Sequence, residues 1–184
     1  MKSFTLITSL LATAASAVDI HLEFAGGCST GGGGYVCTAY NPNTCCSVNA
    51  GVYFASGSFR AIPGNWNLQV RGHAGPNCGA VRDQQDSAGR DYVCLGNGPF
   101  GGFGYGFNNK KTIRGATDVR AVDGEEEAAG CATPDIMYLA DGTQYNYTAI
   151  VEAQLPVEEL YELGKAGASA AEIPENFGTF KLVQ

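Results

Sequence analysis

The sequence predicts a β-rich α+β protein: a compact antiparallel sheet or sandwich, stapled by disulfides, with one short C-terminal helix. Three observations carry that expectation. Short runs of apolar, β-branched and aromatic residues recur between turn signals, seven cysteines stand among 26 glycines, and one late segment alone has a clear helical period.

The elements follow in chain order. Val18 to Phe24 alternates Asp19, His21 and Glu23 with Ile20, Leu22 and Phe24, which predicts a strand with a buried face and a polar solvent face. Gly26 to Gly34 reads as a glycine-rich loop holding Cys28. Tyr35 to Tyr40 has strand propensity and ends at the Asn41-Pro42-Asn43 turn. Val48 to Phe54 and Trp66 to Arg71 predict two further strands. The polar stretch between Cys78 and Cys94, with Asp83, Gln84, Gln85, Asp86 and Gly89, predicts a loop closed at its base. Asp91 to Leu95 and Phe103 to Phe107 predict short strands. Ile136 to Leu139 and Tyr145 to Val151 flank Asp141-Gly142, the strongest short hairpin signal. The period then changes. Val157, Leu160, Tyr161 and Gly164 recur at i, i+3, i+4 and i+7, behind Pro156 and ahead of Lys165, which predicts a short amphipathic helix. Pro174 to Phe177 adds one helical turn.

With 184 residues and 19.2 kDa the chain suits one domain, large enough to bury a core. A net charge of −7 argues against a nucleic-acid partner, which needs Lys and Arg for its phosphates, and against an anionic membrane surface. Lys2, the apolar run Phe4 to Ala14 and Ala15-Ser16-Ala17 predict a signal peptide over residues 1–17 and a single secreted β-rich domain over 18–184. The apolar run is too short for a bilayer core, which takes about 20 residues. Secretion makes Asn146-Tyr147-Thr148 a glycosylation site at Asn146.

Seven cysteines allow three bridges and one free thiol. Cys45 and Cys46 are adjacent, so in an extended segment they point to opposite faces and serve different partners. Cys78 and Cys94 bracket the polar stretch and are expected to pair, with Cys28, Cys37, Cys45 and Cys46 in further bridges. No metal is expected: C-x2-C is absent, and His21 and His73 lack zinc-ligand spacing. No cofactor is expected either. Gly96 to Gly101 fits G-x-G-x-x-G, but Gly102 to Phe107 then alternates glycine with aromatics where a dinucleotide site needs a helix. The acidic residues Asp123, Glu125, Glu126 and Glu127 read as a solvated loop.

Arg71 and His73, with Asp91 or a nearby Glu, form the one acid–base set that the sequence suggests. Trp66, Phe103 and Tyr105 are the candidates for an aromatic ligand platform.

Cys45-Cys46-Ser47-Val48, Val52-Tyr53-Phe54, Ile62 to Leu68, Arg71-Gly72-His73 and Cys94-Leu95-Gly96 together resemble small secreted cysteine-rich proteins of filamentous fungi. The resemblance implies an effector-like secreted protein and carries no catalytic residues with it. The expected function is therefore non-catalytic binding of an extracellular protein or carbohydrate. The alternatives are a secreted hydrolase acting on cell-wall polymer or nucleic acid, and a structural surface protein.

Overall fold

The computed structural model describes residues 18–48, 51–108 and 131–183. The expected signal peptide and the acidic stretch at 123–127 lie outside the described residues. Two mostly antiparallel sheets make up the β-rich body. The first has the order β11-β10-β2-β1-β4-β7, from β1 (Val18–Glu23), β2 (Gly34–Tyr40), β4 (Ser56–Arg60), β7 (Val93–Leu95), β10 (Ile136–Tyr138) and β11 (Gln144–Asn146). The second has the order β6-β5-β8-β3-β9, from β3 (Cys45–Cys46), β5 (Leu68–His73), β6 (Val81–Asp86), β8 (Gly102–Phe107) and β9 (Cys131–Ala132). Only the β3–β9 pair in it is parallel.

Alternation in β1 buries Val18, Ile20 and Leu22 completely, and β5 buries Leu68 and Val70 in the same way. The sheets meet through aromatic rings laid on bare backbone. A Cβ on Gly57 of β4 would stand 2.4 Å from the Phe103 ring of β8, and one on Gly72 of β5 would stand 2.6 Å from the Phe100 ring. Phe100 and Phe103 pack at 5.0 Å between centroids, with Phe59 of β4 edge-on to Phe103 at 6.4 Å. Those glycines are what let the two layers approach so closely.

Three disulfides close the body. Cys37–Cys46 joins β2 of the first sheet to β3 of the second, Cys28–Cys94 ties the 3-10 turn after β1 to β7, and Cys45–Cys78 ties β3 to the loop after β5. They close loops of 9, 66 and 33 residues' separation, stabilising by roughly 2.5 kcal/mol for the shortest to 4.5 kcal/mol for the longest in the chain-entropy picture. Cys131 is free and exposed. Adjacent Cys45 and Cys46 do serve different partners, Cys78 and Cys37.

The expected Cys78–Cys94 bridge is absent, and the reason is topological. Val81–Asp86 between them is not a loop but β6, paired antiparallel with β5. Its residues are exposed or half-buried along its whole length, so the polar sequence hides an edge strand. Cys94 meanwhile sits in the first sheet, where Cys28 is its neighbour.

Other elements also differ from expectation. The described residues of the expected strand Val48 to Phe54 form no regular strand; Phe54 makes one isolated bridge to Phe100, and the strand is the serine- and glycine-containing β4 just after it. The hairpin at Asp141-Gly142 forms, but β11 lasts three residues before the chain turns into α1 (Tyr147–Glu152). Asn146 caps that helix, its Oδ1 accepting the Ala149 N–H at 3.0 Å. The expected late helix is α2 (Val157–Lys165), with Glu158 and Glu159 in its first turn and Lys165 in its last. Leu160, Tyr161 and Gly164 are its buried face; a Cβ on Gly164 would touch Met137 of β10 at 2.3 Å, so the helix lies directly on the first sheet.

Candidate functional site

The acid–base set suggested by the sequence is not assembled. Arg71 and His73 lie on the same side of β5, two residues apart, while Leu68, Val70 and Gly72 face the core. His73 is 7% exposed, and its Nδ1 donates to the Gly79 carbonyl at 2.8 Å. Burial pulls its pKa down, with Arg71 adding to that and the Gly79 bond opposing it. Arg71 Nε donates to Gln69 Oε1 at 3.1 Å. Asp91 precedes β7 in the other sheet and makes no ion pair with either residue. Among the described residues no ion pair joins Arg71 or His73 to a carboxylate.

The aromatic platform is also dispersed. Phe103 and Tyr105 are 0% and 2% exposed, part of the packing between strands, so neither ring can meet a ligand. The alternating glycines face the other side of β8, where a Cβ on Gly102 would stand 2.9 Å from the Cys46 carbonyl and one on Gly104 2.8 Å from the Thr44 carbonyl. Trp66 is half-buried and packs edge-on against exposed Phe107, 5.0 Å between centroids.

The polar face expected for β1 turns out to be partly buried. Glu23 is 0% exposed, and its Oε1 accepts from Ser58 Oγ at 2.6 Å and from Arg60 Nη2 at 3.1 Å. Burial raises the Glu23 pKa, against the pull of Ser58, Arg60 and Ser56. His21 stands two residues away, edge-on to Tyr138 at 5.9 Å; burial, helped by Arg60, lowers its pKa to about 4. The Tyr138 hydroxyl and His21 Nδ1 are buried without a partner. The register explains the cluster: Glu23 pairs with Ser56 and His21 with Ser58 across β1 and β4, so these side chains share one face. A strand with polar odd positions reads the same whether that face meets water or a covering layer, so sequence alone missed this.

A cavity of about 240 Å³ opens between α2 and the segment leading to β4. Val48, Val52, Val157 and the rings of Tyr53, Tyr147 and Tyr161 line it, and Glu158, Glu162 and Lys165 stand at its mouth. Tyr147 is 2% exposed. Burial, reinforced by the Glu158 charge, raises its pKa to about 12. Behind it lies Tyr35, completely buried, 4.9 Å from the Tyr147 ring, with a hydroxyl that has no partner. Burial, together with Tyr147 and Tyr161, pushes the Tyr35 pKa far up. The Tyr161 hydroxyl makes one long bond, 3.5 Å to the Tyr53 carbonyl. Tyr35's unpaired hydroxyl sits behind the wall rather than in it, and the hollow itself joins apolar walls to a few polar groups, the make-up of a small-molecule site. A wider depression of about 550 Å³ runs along the hairpin turn and the C-terminal segment. Its Asp141 carboxylate is already occupied, accepting from the Ala170 and Thr143 amides.

Val157 and Tyr161 are legible in the sequence as part of the helical period, but nothing in it brings them to Val48, Val52 and Tyr53. The apposition of Glu158 and Glu162 to Val48 and Val52 is a long-range contact.

Two disulfide-stapled β-sheets carrying a small tyrosine-walled cavity define a cysteine-rich β protein with a ligand-sized concavity. The chain belongs to the ARB_05566_N family, whose N-terminal domain matches residues 19–135. No curated protein and no solved structure matches the chain. The matched residues end just before β10, so β10, β11 and both helices lie beyond them. The cavity draws Val48, Val52 and Tyr53 from the matched part and Tyr147, Val157 and Tyr161 from the remainder.

Proposed function

We propose that this is a secreted, effector-like fungal protein that acts outside the cell by binding, without turnover of its own. One observation carries the reading. The imidazole and guanidinium suggested for acid–base work are held by the chain's own Gly79 and Gln69, whereas the cavity beside α2 joins valine and tyrosine walls to the carboxylates of Glu158 and Glu162. Catalysis by proton transfer needs a base within hydrogen-bond reach of its substrate; recognition needs only a shaped, partly polar hollow.

Three further features support the extracellular part. The Ala15-Ser16-Ala17 site falls immediately before Val18, the first residue of β1. Three disulfides suit an oxidising compartment. Asn146 is exposed, and the cap uses its Oδ1, which leaves the amide nitrogen for a glycan. The fungal and effector-like part rests on the cysteine, glycine and tryptophan pattern described above.

The test is expression of the full chain in a secreting host. Medium protein should begin at Val18 and lose mass on endoglycosidase treatment. It should leave wall polysaccharides and RNA intact, and His73→Ala should melt like wild type. Hydrolysis that disappears in a normally melting His73→Ala variant would hand the reading to the hydrolase alternative.

A further inference from the structure

We propose that the cavity beside α2 binds a small primary ammonium carried on an apolar body, an arylalkylamine in shape and charge. The inference rests on the binding reading above and names the ligand chemistry of the same cavity.

Size comes first. At about 30 Å³ per water-sized group, 240 Å³ holds a ligand on the order of ten non-hydrogen atoms, below the usual drug-sized range. The apolar part is fixed by the walls. Val48 and Val52 are almost fully buried, and Val157 closes the helix side, so the inner end suits a ring or a short alkyl chain.

Charge decides the other end. Glu158 and Glu162 stand four residues apart on α2, on the same face, at the mouth. A like-charged i, i+4 pair costs a helix a few tenths of a kcal/mol, so nothing in helix stability favours it. Lys165 offsets one of the two charges and leaves the mouth one net charge negative. Its Nζ lies 5.4 Å from the centre of the Tyr161 ring, so this ring face already receives an ammonium from within the chain. Tyr147 lines the same hollow as Glu158, and its phenol oxygen offers an acceptor to a second one. An anionic ligand would meet both carboxylates; a neutral one would leave them unused. The chain's overall charge of −7 also steers cations toward it.

Lys165 is thus a competitor. Removing its ammonium should strengthen binding of an external amine, and neutralising the carboxylates should weaken it.

The experiment is calorimetric titration of the full secreted chain with 2-phenylethylamine, 2-phenylethanol and phenylacetate, which share a ring and differ in charge. The amine should bind at least about tenfold tighter than the alcohol, a difference of about 1.4 kcal/mol, with phenylacetate weakest. E158Q/E162Q should cost the amine about tenfold, K165M should gain it a few-fold, and the alcohol should be indifferent to both. All three side chains are exposed, and melting curves check the fold; K165M decides alone if the double variant does not fold. Equal binding of amine and alcohol, a preference for phenylacetate, or no amine binding up to about 10 mM overturns the proposal. Alcohol binding that equals the amine's would still leave a binding protein, whereas only turnover defeats that broader reading.

Discussion

Glu23 and Arg60 meet at 3.1 Å on the outer face of the first sheet, the carboxylate fully buried and the guanidinium side chain 32% exposed. Ser58, the register partner of His21, donates to the same carboxylate oxygen, and Arg60 also packs over the Tyr92 ring at 5.8 Å. A carboxylate taken out of water needs these partners, because burial alone would drive it toward its neutral form.

Arg60→Ala should therefore destabilise by about 2 kcal/mol, less than the 3–5 typical of a fully buried pair, since solvent screens the guanidinium. Adding Glu23→Gln should recover part of that loss, because the amide still accepts from Ser58 and carries no charge to desolvate. Denaturant titrations of the two variants check this; a double variant less stable than Arg60→Ala alone contradicts it.

His21 gives the fold a pH dependence with a definite sign. Unfolded, it takes a proton near its ordinary value of 6.5; folded, only at about 4. Between those values the unfolded chain binds more protons, so the His21 contribution is intact above 6.5 and lost as pH falls through 4. Glu23, raised by burial, works in the opposite direction: the folded chain takes up its proton first. His21→Gln should flatten the fall in Tm over that interval. Parallel curves for the variant and wild type would assign the acid response elsewhere.

Gly57→Ala should cost about 1–3 kcal/mol, because the new methyl meets the Phe103 ring, which neighbouring aromatics hold in place. Gly64→Ala, with nothing near its Cβ position, is the matched control and should melt close to wild type. If both variants melt alike, the close approach of the sheets at Gly57 is wrong.

A non-reducing peptide map should link Cys28 to Cys94, Cys37 to Cys46 and Cys45 to Cys78, and leave Cys131 as the single alkylated thiol. Cys131 lies opposite Cys45 in the parallel β3–β9 pair, and its Sγ donates to the Asn77 carbonyl at 3.0 Å. Its proximity to the Cys45–Cys78 bridge makes Cys131→Ser the variant that should protect the connectivity during handling at alkaline pH. Scrambling that persists in Cys131→Ser would locate the exchanging thiol elsewhere.

Much of the fold was legible because local pattern is a local property. The sequence by itself determined β1 from its alternation, the hairpin from Asp141-Gly142 and α2 from its 3.6-residue period, and it separated the partners of Cys45 and Cys46 by the alternation of an extended chain. It could not show that polar Val81–Asp86 is an edge strand, since an edge with two wet faces carries no apolar signal, nor that Asn146 would end a strand by capping a helix. Only the tertiary structure decided which sheet each cysteine joins, that Glu23 is buried by what covers it, and that α2 faces Val48 and Val52 across a cavity. Those outcomes depend on contacts between residues far apart in the chain, whose formation is set by packing of the whole body and leaves no mark in any one segment.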